Sequence, residues 1–157
     1  MGYTQILESC EDPAIGAAVK DSLNRLFSAD KQLLANNVSE QTIAAKIAQY
    51  LQSHFPTHDV DVEYNKMGIA PKKVTWSEKL DEVYPDIIVH IRVTKTNVLA
   101  IELKKDSNRE KKNKDILKLR AYRRELGYIH ALFLRLGVGE KAGTVSECEW
   151  VHEQYRT

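Results

Sequence analysis

Two apolar runs separated by only four residues constrain this chain more than anything else in it. Ile87-Ile88-Val89-His90-Ile91-Arg92-Val93 and Val98-Leu99-Ala100-Ile101-Glu102-Leu103-Lys104 are rich in aliphatic residues, and Thr94-Lys95-Thr96-Asn97 joins them. So short a connection cannot hold a crossover, so the runs predict an antiparallel hairpin. Alternation then places Ile87, Val89, Ile91, Val93, Leu99, Ile101 and Leu103 on one apolar face. The other face holds Asp86, Ile88, His90, Arg92, Ala100, Glu102 and Lys104. A carboxylate set into such a strand is costly to bury unless a partner or a cation neutralises it. The hairpin brings Asp86 to the end that carries Glu102 and Lys104. The three share a face only if paired residue numbers add to an even sum. Residue 86 opposite 104 and residue 88 opposite 104 both meet that condition, and the sequence does not choose between them.

The elements around the hairpin follow from periodicity and caps. Asp12-Pro13 predicts a helix over about 13–27, with Asp as N-cap and Pro at the first helical position. A turn is expected over 31–35. Ser39 starts a second helix, 40–54, whose stripe is Ile43, Ile47, Tyr50 and Leu51. Asp59 to Tyr64 alternates as a strand, with Glu63 on its acidic face. Residues 65–84 show little regular pattern beyond a short helix from Ser77. A basic helix over 111–126 stops at Gly127, and Tyr128 to Leu136 is a strong strand. A turn over 137–143 and a last strand over 144–152 complete the pattern. The reading is an α/β (α+β mixed) fold in one domain, 1–157: a helical extension over 1–38, a core over about 39–136, and a C-terminal hairpin over 137–157.

A net charge of +1 hides a strong asymmetry. Residues 104–124 hold ten basic and three acidic residues, a net +7, so the remainder carries −6. A charge run of this kind is ordinarily a solvated helix face. Its place directly after Glu102-Leu103-Lys104 instead points to a phosphate-binding surface built from Lys105, Lys111, Lys112, Lys114, Lys118, Arg120, Tyr122, Arg123 and Arg124. Trp76, with Lys72 and Lys73, is a candidate for stacking on a base or for packing its loop onto the body. Asp115, Lys118 and Tyr122 recur at helical spacing and share a face.

Pro85-Asp86 followed by Glu102-Leu103-Lys104 resembles the P-D…[D/E]-x-K motif of the restriction-endonuclease-like nuclease superfamily. Glu63-Tyr64-Asn65, Pro85-Asp86-Ile87-Ile88-Val89-His90-Ile91-Arg92 and Ile101-Glu102-Leu103-Lys104-Lys105 resemble an uncharacterised bacterial-type subgroup of it. The likeness covers roughly 39–136 in element order and type. It implies a central mixed sheet flanked by helices and a DNA endonuclease. Asp86 and Glu102, with the backbone carbonyl of Leu103, would hold Mg²⁺, for which Mn²⁺ can substitute. Lys104 would orient the attacking water and neutralise the phosphate. Its ordinary pKa of ~10.4 is far too high for a base without a large depression. Glu40 is a further candidate ligand, equally explained as a carboxylate complementing its helix dipole, and Glu63 is a weaker one. Lys118-x-x-x-Tyr122 resembles a Gln-x-x-x-Tyr pattern of some nuclease families, with Lys in place of Gln.

Other classes are narrowed by what the sequence lacks. No apolar run is long enough to span a membrane. Cys10 and Cys148 lie far apart without a CxxC spacing and read as free thiols of a cytoplasmic protein. His90 and His130 are expected in hydrogen-bonded positions, because forty residues separate them and neither has a closely spaced histidine partner. DNA is favoured over RNA as partner, and cutting a duplex with one such site per chain implies a homodimer. The competing reading is a catalytically silent nucleic-acid-binding or protein-interaction module on the same fold.

Overall fold

Asp12 and Pro13 start the longest helix as their chemistry dictates. The Asp12 carboxylate accepts from the Ala14 N–H at 3.0 Å, and Pro13 occupies the first helical position. The computed structural model describes residues 2–153. Met1 and the last four positions of the expected C-terminal hairpin, 154–157, lie outside the described residues. Four helices come first: α1 (Tyr3–Glu8), α2 (Pro13–Ala29), α3 (Lys31–Ala35) and α4 (Glu40–Gln52). α1 was not expected, and the turn expected at 31–35 is the short α3. The Ser39 hydroxyl caps α4 by accepting from the Thr42 N–H at 3.2 Å.

The strands β1 (Asp59–Val62), β6 (Ile87–His90), β7 (Asn97–Lys105), β8 (His130–Leu136) and β9 (Val145–Trp150) form one five-stranded mixed sheet in the order β1-β6-β7-β8-β9. Its β7–β8 pair is parallel and the other three are antiparallel. The parallel pair needs a crossover, supplied by α5 (Asn113–Leu126), which ends at Gly127 with φ 72°.

The sheet is buried on both faces. Ile87, Val89, Leu99, Ile101 and Leu103 pack with Leu132, Leu134 and Leu136 against Val19, Leu23, Ile43, Ile47 and Leu51 of α2 and α4. On the opposite face Ile88, Ala100 and Phe133 pack against Leu119, Tyr122 and Leu126 of α5. The hairpin face expected to be polar therefore lies beneath a helix. This is a mixed α/β fold with helices on both sides of the sheet.

Two stretches differ from the sequence reading. Residues 65–84 form two small ribbons, β2 (Lys66–Met67) with β3 (Ala70–Pro71) and β4 (Lys73–Thr75) with β5 (Leu80–Glu82). No helix starts at Ser77; Glu78, at φ 66°, turns the chain from β4 into β5. Lys72 is fully buried and donates from Nζ to the carbonyls of Tyr64 and Lys66, which holds this segment together. The connection between β6 and β7 is also longer than expected. Thr94 Oγ1 donates to the Ile91 carbonyl and accepts from the Thr96 N–H, Val93 sits at φ 59°, and a bulge falls between Val89 and His90. This local turn chemistry ends β6 at His90 and shifts the register.

The helices of the apolar face approach closely at one point. A Cβ added at Gly16 of α2 would lie 2.1 Å from the Leu7 carbonyl oxygen of α1. Backbone cannot yield as a side chain tip can, so Gly16→Ala is expected to destabilise the fold by about 1–3 kcal/mol, read as a lower midpoint in chemical denaturation. An unchanged midpoint would mean that α1 is not seated on α2.

Candidate active site

The pairing of β6 with β7 decides what happens to the three motif residues. Ile87 faces Ile101 and Ile88 faces Ala100, so paired numbers add to 188. The sum is even, as the convergence requires, though two below the smaller register considered. Continued by one residue, this register sets Asp86 opposite Glu102, and their carboxyls share a hydrogen bond. Asp86 Oδ2 also accepts from the Leu103 N–H at 2.8 Å, closing the ladder where β6 begins. Leu103, expected to offer its carbonyl, is thus tied to the pair through its N–H.

Glu102 is 5% exposed, whereas Asp86 is only partly buried and stands at the rim. Burial pushes the Glu102 carboxyl well above the usual carboxylate range, and the nearby Asp86 adds to it. Burial also raises Asp86, while the hydrogen bonds from Glu102 and the Leu103 N–H act against it. Burial and the neighbouring carboxyl both favour the protonated form of Glu102, so the pair is suited to share a proton.

α5 completes the cluster from above. Its Tyr122 is 1% exposed and donates its hydroxyl to Glu102 Oε1 at 2.7 Å. Asp115, one helix face earlier at i−7, is also buried; its Oδ2 lies 3.1 Å from Lys104 Nζ and has no well-aligned hydrogen-bond donor. Glu110 Oε2 lies 3.3 Å from the same ammonium. Burial alone would lower Lys104, but Asp115 and Glu110 more than offset it and raise its pKa. The two carboxylates thus favour the charged ammonium form of Lys104. Arg135, opposite Lys104 on β8, positions the segment that carries Glu110 by donating to the carbonyls of Asn108 and Glu110 at 2.6 and 2.7 Å.

The two acidic candidates outside the hairpin occupy different places. Glu40, in the first turn of α4, accepts from the Lys105 N–H at 2.7 Å and so reaches the end of β7. It faces the cluster rather than only its own helix end. Glu63 adopts φ 49° and so leaves the β1 alternation; its N–H donates to the Asp86 carbonyl at 3.3 Å, while its exposed carboxylate accepts from Gln41 Nε2. Its backbone belongs to the cluster and its side chain points to α4.

The basic helix divides by face. Tyr122 faces inward, so its expected place on a nucleic-acid surface is corrected: a side chain packed at i, i+4 and i+7 with Asp115 and Leu119 cannot also face solvent. Lys112 pairs with Glu147 and Glu149, Arg124 pairs with Glu125 and Glu153, and Arg123 donates to the Val151 carbonyl. Lys105 Nζ lies 3.5 Å from the Asn37 carbonyl. Lys111, Lys114, Lys118 and Arg120 have no carboxylate partner among the described residues.

His90 and His130 lie away from the carboxylates. His90 is buried at the far end of β6 with Nε2 2.7 Å from Asp61, which Arg92 also grips through two nitrogens. His130 Nδ1 lies 3.7 Å from the free thiol of Cys10. Among the described residues no three His, Cys, Asp or Glu side chains converge as a ready-made metal cage. The paired carboxyls nevertheless fit Mg²⁺, which binds through one or two carboxylates and keeps several waters. Two carboxyl groups forced together by burial, whose ionised forms would repel each other, are what a hard dication would relieve. Two concavities of about 460 Å³ each lie beside α4 and β1 and around Met67 and Tyr128. Asp86 is the partly exposed member of the carboxyl pair and Glu102 the buried one. Among the described residues no helix is long and apolar enough to cross a membrane.

Sequence reasoning did not single out Asp115 as a partner of Lys104. Its signal was present in the shared helix face with Tyr122, but only the crossover of α5 over β7 shows what that face meets. Compared with known proteins, the chain matches no family model, no curated protein and no solved structure.

Proposed function

We propose that this chain is a divalent-metal-dependent nuclease with a restriction-endonuclease-like core, hydrolysing phosphodiester bonds of DNA at Asp86, Glu102 and Lys104. The observation that carries the reading is the even β6–β7 register, which sets a buried Glu102 against Asp86 with Lys104 two residues on along the same face. A hairpin followed by a helical crossover to a parallel strand supports the core assignment.

Asp86 and Glu102 would hold the metal, with Glu40 beside them. Mg²⁺, or Mn²⁺ in its place, would supply Lewis acidity and a water of lowered pKa. Binding it requires Glu102 to give up its proton, because the ligating form is the carboxylate. Tyr122 fixes the Glu102 carboxyl plane through its hydroxyl. Lys104, kept protonated by Asp115 and Glu110, offers charge to a phosphate oxygen and a hydrogen bond to orient water. One such cluster per chain cuts one strand, so cleavage of both strands of a duplex would need a homodimer.

The test is cleavage of single-stranded, duplex and branched DNA with Mg²⁺ or Mn²⁺, against Lys104→Ala and a chelator control. Metal-dependent product lost in the variant supports the reading. Binding with no product on any substrate would instead favour a silent nucleic-acid-binding module; the Glu110 contact on Lys104 is the feature that speaks for that alternative.

A further inference from the structure

Trp76 stands at the end of β4, half-buried, with the ammonium groups of Lys118 and Lys114 over its ring at 5.3 and 5.6 Å from the centroid. The two lysines are four residues apart on α5, so both cations approach from the helix side. The indole N–H donates to Asp81 at 3.4 Å, which orients the ring. Of the two lysines expected beside Trp76, Lys72 is buried and bound to carbonyls and Lys73 is exposed.

The lysines lie on the helix whose Tyr122 reaches the carboxyl pair. Lys114 directly precedes the Asp115 that holds Lys104. Tyr84, on the segment leaving β5, is 56% exposed and stands two residues before Asp86. Lys114 and Lys118 thus flank Trp76 without carboxylate partners among the described residues, whereas Lys112 and Arg124 are neutralised by glutamates, Arg124 while it also holds the Thr75 carbonyl; the exposed Tyr84 donates its hydroxyl to Glu82 at 3.4 Å.

Stacking needs an unpaired base, because a duplex keeps its base faces covered, and the adjoining phosphates need unneutralised cations. We infer that Trp76 and Tyr84, with Lys114 and Lys118, form a stacking platform for single-stranded DNA that leads to the Asp86–Glu102 pair. The assignment rests on the nuclease reading for its purpose, but its binding chemistry does not. An occupied platform would carry a strand past Asp86 and favour single-stranded or frayed substrate over intact duplex.

Binding is measured in chelator, so that no cleavage occurs, with a fluorescent 15-nucleotide oligo-dT and a duplex of equal length. Trp76→Ala is expected to weaken oligo-dT binding by roughly 5- to 150-fold and to leave duplex binding within about twofold. Tyr84→Ala, at an exposed position that the fold does not need, should weaken oligo-dT binding in the same direction. Lys114→Gln with Lys118→Gln should lower the log–log salt slope by about 0.7 per lysine. In a Trp150→Phe background, oligo-dT should quench the remaining Trp76 emission. Equal oligo-dT affinity in wild type, Trp76→Ala and Tyr84→Ala, or tighter binding of duplex with Trp76 unquenched, overturns the inference. Trp76-dependent binding by a protein that cuts nothing with Mg²⁺ would keep the platform and remove the nuclease. Metal-dependent cleavage with no effect of either aromatic variant on binding would do the reverse.

Discussion

Lys104→Ala is expected to reduce metal-dependent cleavage by roughly 10²–10⁴-fold, the range for removing a positioned charge or proton-handling group from a transition state. The structure adds a complication with a testable form. Lys104 neutralises Asp115, which is 6% exposed, so truncation leaves a carboxylate buried without a counter-charge. Breaking a buried pair in this way costs on the order of 3 kcal/mol, and loss of activity could then be loss of fold. The double variant Lys104→Ala/Asp115→Asn removes both charges and should recover most of the thermal stability. It should not recover cleavage, because the missing ammonium is what the phosphate meets. Lys104→Arg should retain part of the rate, since a cation held protonated by Asp115 and Glu110 works by its charge. A double variant that cuts as fast as wild type would remove Lys104 from the mechanism.

Glu102→Gln is expected to make the metal-free protein more stable while abolishing its response to Mg²⁺. In the folded chain the Glu102 carboxyl lies well above its ordinary range because it is buried and beside Asp86. The folded state therefore binds more protons than the unfolded chain between the ordinary glutamate value, about 4.3, and the raised one. The stability that protonated Glu102 contributes is fully present below that ordinary value and is lost as pH rises through the folded value. Glutamine is neutral at every pH, can donate its amide to Asp86, and can still accept from Tyr122. In chelator the variant should melt with wild type near pH 4 and progressively above it as pH rises. Each ~1 kcal/mol corresponds to about 2–4 °C in a chain of this size. Saturating Mg²⁺, at about a hundredfold over its dissociation constant, should stabilise wild type by about 2.7 kcal/mol and leave Glu102→Gln unmoved. Equal stabilisation of both proteins by Mg²⁺ would sink the assignment of Glu102 as a ligand.

The two expectations also show which parts of the site were visible before the fold was known. Asp86, Glu102 and Lys104 were legible because a strand's alternation is fixed by backbone geometry, whatever it packs against. Their convergence was legible only as a condition on parity. The actual register depends on the turn at 91–96, with the Thr94 hydroxyl and Val93 at positive φ, and on the bulge between Val89 and His90 that precedes it. Such turn chemistry is a balance of local hydrogen bonds that periodicity does not encode. Tyr122 was placed on the right face of α5 but on the wrong side of the protein. Its helix is basic overall, and charge density described the solvent face while Leu119 and Leu126 marked the buried one.

Glu40 and Glu63 mark the same boundary. Both are carboxylates near element ends, and ranking Glu40 above Glu63 from the sequence did not show where either side chain goes. The packing of α4 across the sheet carries Glu40 to the Lys105 N–H, and a single left-handed residue turns Glu63 away. The sequence by itself determined the hairpin, its two chemically distinct faces, the caps of α2 and α4 and the asymmetry of charge, because these depend on residues close in the chain. Only the tertiary structure decided that the polar face lies under α5, that Glu102 is buried beside Asp86, and that Asp115 and Glu110 flank Lys104. Burial and the electrostatics it creates arise from residues distant in sequence, and no local pattern states which of them will meet.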